Sequence, residues 1–488
     1  LNISFKSTDH NLNDKTIIKF RGIWLRLLKT KTYGCVTNEQ ISLWAKEKGL
    51  SDVSTIEKQI GTFLTIKALI LNTSEGRACF PRLLPTEFTD IENKKQQVDK
   101  LAKAWRSADW FEPPFIMHKI TSPILGNILK LKGADNNRIE TEFDHYLPTL
   151  YTMSDCSVAI AQVFPKSHLL SNYCDTIREA FLSYYSGYKS TAIAALIPIV
   201  ESAITELIDN DLNHSMTIQS KIDHVTGIAI TNALKIYYDN SWVADEFINY
   251  KLIQTVDERI YIFELIRCWL KNSFYSKTEN YNGKSGLNRH IFAHGLSIVW
   301  QKPTNFHRLL GILEALIFIE SWVIKDSLIS MFFPSMNDEG RLLFEEAYSR
   351  TTMQMVSMKL MADRYHQKGK SFPPLTTDDG WNYRASALSE KCMTEIVRPL
   401  RDAGWFLKVG EPQKEGEYMC VDATYENEKY SVALLYSCAS GNEIYKILAN
   451  RVDCILYLGA PYHQGEYAYG IKTEIGPLEA WHVRNPIK

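Results

Sequence analysis

The chain has 488 residues, enough for two to four domains, and its 45% hydrophobic and 23% charged content is ordinary for a soluble globular protein. Fifty-five basic and 56 acidic side chains leave a formal net charge of −1, which excludes a global basic field, so any nucleic-acid contact must be local. Nine cysteines are scattered without a C-x-x-C pair, which argues against a zinc ribbon or a disulfide scaffold and for a reducing, cytoplasmic setting.

Leu1-Asn2-Ile3-Ser4-Phe5-Lys6 does not read as a signal peptide. Residues 1–92 read as a small helical domain with a hairpin. Ile17 to Leu28 is amphipathic. Thr37-Asn38-Glu39-Gln40 opens a second helix as a capping box, stopped by Gly49. Thr55 to Leu69 is expected as a third helix, and Ile70 to Phe80 as strand, turn, strand. Helix–turn–helix followed by a hairpin resembles a winged helix. Its third helix carries only Lys58 and Lys67 as cations, whereas DNA readers bring several. DNA binding and a protein-contact role both stay open.

Residues 93–165 read as a helical connector. A charged helix from Lys94 reaches Trp105, and Trp110-Phe111-Glu112-Pro113-Pro114-Phe115 forms a corner where the prolines end it. Its aromatics are expected to pack rather than stack on bases. Residues 166–330 read as a helical bundle, with segments Ser171–Ser186, Ser190–Leu207 (kinked at Pro198), Lys221–Tyr238, Ala244–Thr255, Arg259–Leu270 and Leu309–Leu328. The apolar run from Leu309 to Ile324 is broken by Glu314 and Glu320, so it reads as a buried helix and not a membrane span.

One stretch concentrates chemistry: Gly286-Leu287-Asn288-Arg289-His290-Ile291-Phe292-Ala293-His294-Gly295. Asn288 and Ser285 are N-cap types, and Gly283 and Gly286 place a loop just before, so a helix start is expected near Asn288. His290 and His294 share a helix face. Arg289 and His294 are roughly 140° apart on a regular helix, but converge if Arg289 sits in the first turn and its stem folds back. A helix N-terminus favours anions, and phosphate is the natural ligand for this cluster. A guanidinium would hold it by bidentate contacts, and an imidazole exchanges protons near neutral pH. H-x3-H can also donate two metal ligands, but no third ligand has recognisable spacing and Ile291 stands where H-E-x-x-H needs its glutamate. No phosphate-binding glycine loop is present and no cofactor is expected. A purely structural alternative has His290 packing and Arg289 paired with an acid such as Glu201.

Asn288-Arg289-His290-x-x-x-His294-Gly295 resembles the Arg-x4-His ribonuclease signature of the HEPN superfamily. The upstream segment is similar too. Ile177-Arg178-Glu179-Ala180 is followed by Tyr184-x-x-Gly187-Tyr188 and then by a helix carrying Glu201. The resemblance covers about residues 165–330. It implies a metal-independent endoribonuclease in which two protomers face each other, with Arg289 and His294 of each lining one cleft. Arg289 would stabilise the phosphorane, and His294 would act as general base or acid. His290 and Asn288 would orient and assist. Glu201 is either a helix-pairing carboxylate or the group that orients Arg289 or a histidine. The products would carry 2′,3′-cyclic phosphates, and DNA would resist. A toxin or anti-phage effector role is the expected setting, with RNA as substrate and an antitoxin or phage-derived trigger as further partners.

Residues 331–375 add a helix, Asp338 to Asp363, and a basic, proline-containing linker from Arg364. Residues 376–488 change to α/β: a helix from Ser386 to Ala403, strands at Trp405–Val409, Tyr418–Thr424, Lys429–Tyr436 and Val452–Leu458, and a helix at Glu443–Ala449. This order, with Val421-Asp422, resembles a restriction-endonuclease-like core. The acid-x-Lys that such a core needs is replaced by Ala433-Leu434-Leu435, so a degenerate binding or sensing module is expected. The chain as a whole is expected to be mainly α: a winged-helix-like domain, a HEPN-like bundle and this degenerate α/β domain. The second functional reading is a non-catalytic regulator that binds nucleic acid or a protein.

Overall fold

A computed structural model describes residues 12–30, 33–61, 65–84, 89–131, 136–208, 215–283, 285–366, 379–414, 416–459 and 464–486. The hexapeptide read for a signal, and the linker residues from 367 to 375, lie outside them. The chain forms two compact units. One comprises the described residues up to Glu179, with Ile193–Trp300 and Thr304–Phe344; the other comprises Ala180–Ala192, Gln301–Pro303 and the chain from Glu345. The secondary structure is mainly α-helical, with a three-stranded and a five-stranded sheet.

The first unit opens with α1 (Asp14–Leu28), whose N-cap Asn13 accepts from the Thr16 amide. In α2 (Asn38–Glu47) both halves of the capping box form between Thr37 and Gln40. Gly49, at φ +69°, ends that helix as a left-handed residue, as its position suggests.

The third helix expected over 55–69 does not form. Residues there enter two strands, β1 (Ser54–Ile60) and β2 (Ile66–Thr73), and β3 (Gly76–Pro81) completes an antiparallel sheet in the order β1-β2-β3. The reason is physical. Gly61 at φ +113° breaks any helix, and the β-branched residues on both sides suit a pleated surface. Ile66, Leu69, Ile70 and Leu71 are buried. No recognition helix therefore presents Lys58 and Lys67, and Lys58 pairs instead with Asp239 at 2.9 Å.

The sheet is bonded to the helical region of the same unit. The Cys79 amide donates to the Trp242 carbonyl at 2.7 Å, and the Trp242 amide to the Arg77 carbonyl at 2.9 Å. Phe20 and Phe80 both pack on the Trp242 ring. Helices α3 (Thr89–Ser107), α4 (His118–Lys130), α5 (Asn136–Leu150) and α6 (Met153–Val158) follow. The aromatic-proline corner is packing, as expected: Trp110 and Phe111 are buried and stacked at 4.2 Å.

Next come α7 (Cys174–Tyr185), α8 (Lys189–Glu206), α9 (Ile218–Tyr237), α10 (Tyr250–Val256) and α11 (Glu258–Trp269). The segment expected from Ala244 to Thr255 is split into a 3-10 turn at Asp245–Phe247 and α10. After a five-residue helix, α12 (Arg289–Ala293), comes α13 (Thr304–Val323), buried on every side from Asn305 to Glu320. A helix apolar all round belongs in a core. Two of its charged residues have partners there. Arg308 pairs with Asp144 at 2.8 Å, and Glu320 accepts from Ser167 and from the His168 amide. Among the described residues no helix is long and apolar enough to cross a membrane.

The second unit includes the later part of α14 (Asp338–His366), then α15 (Asp379–Cys392), which runs through a π-turn into α16 (Arg398–Asp402). Gly404 at φ +99° ends this run where the sequence places its stop. Strands β4 (Phe406–Val409), β5 (Tyr418–Tyr425), β6 (Glu428–Leu435), β7 (Cys454–Tyr457) and β8 (Glu474–Pro477) form one sheet in chain order. The first three are antiparallel, and β6-β7-β8 are parallel. The crossover between β6 and β7 carries α17 (Asn442–Ala449). Leu388, Ile396 and Leu400 pack on one face of the sheet, Tyr445 and Leu448 on the other. Ala433, Leu434 and Leu435 are core residues, and Asp422 accepts from the Ser431 hydroxyl at 2.9 Å. Strand β8 had no sequence signal strong enough to be expected.

Candidate functional site

The polar stretch lies on a short, heavily braced turn. Asn288 is the N-cap of α12, as expected, and Arg289 is its first residue. The helix lasts only five residues, and its end is built by glycine. Gly295 sits at φ +62°, and the Leu296 amide reaches back to the Ile291 carbonyl at 3.1 Å. Gly286, at φ +67°, lies against Val299, where a Cβ would come within 2.6 Å of a methyl carbon.

Asn288 is 1% exposed and uses all its hydrogen-bonding capacity. Its Oδ1 accepts from the His290 and Ile291 amides, both at 3.0 Å. Its Nδ2 donates to the carbonyls of Ser273 at 2.8 Å and Ser276 at 2.9 Å. Two expectations change here. The side chain is a clamp between segments and not a group presented to a ligand. The helix N-terminus also offers less to an anion than its sequence suggests, because Asn288 takes two of its free amides and five residues sum few peptide dipoles.

The loop before the motif is anchored from far away. Asp109, 5% exposed and at φ +49°, accepts from Ser273 at 2.6 Å, Ser285 at 2.9 Å and the Trp269 indole at 3.1 Å. Gly283 permits this approach, since a Cβ there would lie 2.4 Å from Asp109 Oδ2. Asn305 of α13 donates to the Ser285 carbonyl at 2.6 Å and to that of Trp300 at 3.0 Å. Ser285, an N-cap type by sequence, serves this anchor.

Arg289 Nε donates to Oε2 of Glu201, on α8, at 2.8 Å, a contact that both the orienting role and the purely structural alternative expect. Both side chains are about a third to a half exposed, at 34% and 44%. Arg289 makes no further hydrogen bond among the described residues, so Nη1 and Nη2 remain available as a two-pronged donor. The pair borders a groove of about 450 Å³, lined by Ile197, Pro198, Ser202 and Phe292 among others. His290 is half-buried and does not line that groove; His294 is the exposed C-cap of α12 and does not line it either.

Tyr275, which does not line the groove, carried no sequence signal. It is 3% exposed, and its hydroxyl has no hydrogen-bond partner among the described residues. Burial pushes that hydroxyl above the usual tyrosine range; Glu201 adds to the rise and Arg289 opposes it. Ser202 was also unmarked by sequence, and its hydroxyl shares a 2.6 Å hydrogen bond with Tyr173. Among the described residues no three His, Cys, Asp or Glu side chains gather as a metal centre would require. Chemically, the arrangement offers a guanidinium held through one nitrogen at the border of an open groove, with two imidazoles on the same short helix and its cap. Comparison with known proteins gives no match to a family model, a curated protein or a solved structure.

Proposed function

We propose that this protein is a metal-independent endoribonuclease of the HEPN type, with RNA as substrate and Arg289 as the group that binds the scissile phosphate. The observation that supports the reading is the Arg289–Glu201 pair at the groove: the carboxylate holds Nε at 2.8 Å, and neither terminal nitrogen has a hydrogen bond among the described residues. A guanidinium held this way is pre-organised for the extra negative charge of a phosphorane. His294 serves as general base toward the 2′-hydroxyl or general acid toward the leaving 5′-oxygen, and His290 assists. Asn288 contributes by holding the turn. His294 is exposed and outside the groove that Arg289 borders, which suits a composite cleft completed by a second copy of the chain. In the cell such an activity fits a toxin or anti-phage effector in the cytoplasm, restrained by an antitoxin or released by a phage-derived trigger.

The test is incubation of purified protein with a defined RNA in EDTA, with end analysis for 2′,3′-cyclic phosphate. An all-deoxy substrate should remain intact. Arg289→Ala should lower the rate about 10²- to 10³-fold. His294→Ala should lower it about 10²- to 10⁴-fold, with folding retained in both variants. No cleavage by the intact protein, or equal cleavage by the variants, removes the reading. The second reading, a non-catalytic nucleic-acid- or protein-binding regulator, is favoured by the absence of both histidines from the groove lining. It predicts RNA retention without cutting.

A further inference from the structure

We propose that the groove beside Arg289 is a nucleobase subsite selective for guanine, with Glu201 as the residue that sets the selectivity; as a subsite of a cleaved RNA it rests on the ribonuclease reading above. The groove, at about 450 Å³, falls in the size class of small-ligand pockets. Its walls pair apolar and polar surfaces. Ile197, Pro198 and Phe292 give it an apolar wall, in which the Phe292 ring is the face for a base to stack on. The Phe292 ring is fixed edge-on against Trp300, with centroids 5.0 Å apart and planes at 89°. A pre-set ring loses little freedom when a base arrives.

The polar side decides which base. Glu201 places a carboxylate in the groove with Oε2 committed to Arg289 and Oε1 without a hydrogen bond among the described residues. An ionised carboxylate only accepts. Guanine presents two adjacent donors, N1–H and the exocyclic amine, on its pairing edge. Adenine and cytosine present one amine beside a ring nitrogen that accepts. Uracil presents one N–H between two carbonyls. The open Oε1 can accept from both adjacent guanine donors without facing an acceptor, which ranks guanine first; on the other three bases the donor it would take lies beside an acceptor that it repels. Ser202 also lines the groove; with Tyr173 as the donor of their shared bond, the Ser202 hydroxyl keeps its proton for the guanine carbonyl. The same nucleotide's phosphate would lie toward the terminal nitrogens of Arg289.

The experiment is calorimetric titration of the full chain with GMP, AMP, CMP and UMP, together with sequencing of the ends cut from a randomised single-stranded RNA. GMP should bind about tenfold or more tightly than the other three, as expected for donors bound to a charged acceptor. Cut sites should cluster beside guanosine. Glu201→Gln puts an amide donor beside the base and should cut the guanine preference to within about threefold, a change of ratio that lost positioning of Arg289 alone would not produce. Phe292→Ala should weaken all four nucleotides alike. Equal binding of the four, or undiminished preference in Glu201→Gln, overturns the proposal. RNA cleavage without base preference overturns the subsite while leaving the nuclease. Selective GMP binding with no RNA cleaved supports the subsite and removes the nuclease.

Discussion

Replacing Asn288 separates a buried clamp from an ordinary helix cap. Its acceptor half caps α12 through the His290 and Ile291 amides; its donor half holds the Ser273 and Ser276 carbonyls. Loss of an N-cap costs about 1 kcal/mol. Two lost donor bonds add about 1 kcal/mol each, with a further penalty where a carbonyl stays buried and unpaired. Asn288→Ala should therefore destabilise this region by about 3 kcal/mol or somewhat more, bearing in mind that bonds in one network do not add strictly. Asn288→Asp is the informative partner. At an exposed cap Asp and Asn are about equal. Here the aspartate keeps both amide bonds but turns an acceptor toward two carbonyls, so it should rescue little. Hydrogen exchange across residues 273–296 measures this region by itself. Both variants should lose protection there, including at the His290 and Ile291 amides. An Asn288→Asp protein as protected as the parent would refute the idea that the donor half matters.

Other outcomes follow from the same geometry. Glu201→Ala should change stability by less than about 1 kcal/mol, because its ion pair is partly solvated, yet lower RNA cleavage by freeing the arginine stem; thermal melts and rates measured together test this. Burial, with repulsion from Asp155 second, pushes the Glu314 carboxyl up to about 8. The unfolded chain releases that proton near its ordinary value while the fold retains it. Stability is therefore full below that value, falls as pH rises, and levels off above about 8. Glu314→Gln should flatten this loss, which at about 1.4 kcal/mol per unit amounts to a few kcal/mol, and melts at pH 5, 7 and 9 read it. Arg308 is fully buried and paired with Asp144, so Asp144→Ala should cost about 3–5 kcal/mol by leaving a buried cation, while Arg308→Met with Asp144→Leu should cost much less. Gly295→Ala forces a side chain into a left-handed position and should cost about 1–2 kcal/mol, visible as fraying of α12 in exchange data.

What could be read from the sequence follows the range of the interaction that causes it. The turn at 286–295 is written locally: an asparagine cap, an arginine in first place, a glycine where the chain must go left-handed. Both ends of α12 stand where those residues put them. The capping box at Thr37 and the stops at Gly49 and Gly404 were legible for the same reason. Residues 55–69 were not, because their mixture of β-branched, charged and apolar types serves either a helix or a strand. Pairing with β3, a few residues beyond the stretch, decides the matter. The site shows the limit more sharply. Glu201 lies 88 positions from the arginine it holds, and Asp109 lies 176 positions from the Ser285 it anchors. A helix of five residues has no stability of its own. Its shape is imposed by Asp109, Ser273 and Asn305, none of which carries any mark of function in the sequence. The motif names the polar groups, and the bracing around it decides which of them are buried and which are exposed. Here it turns Asn288 inward and brings Glu201, weighed by sequence only as one of two readings, into direct contact with the arginine.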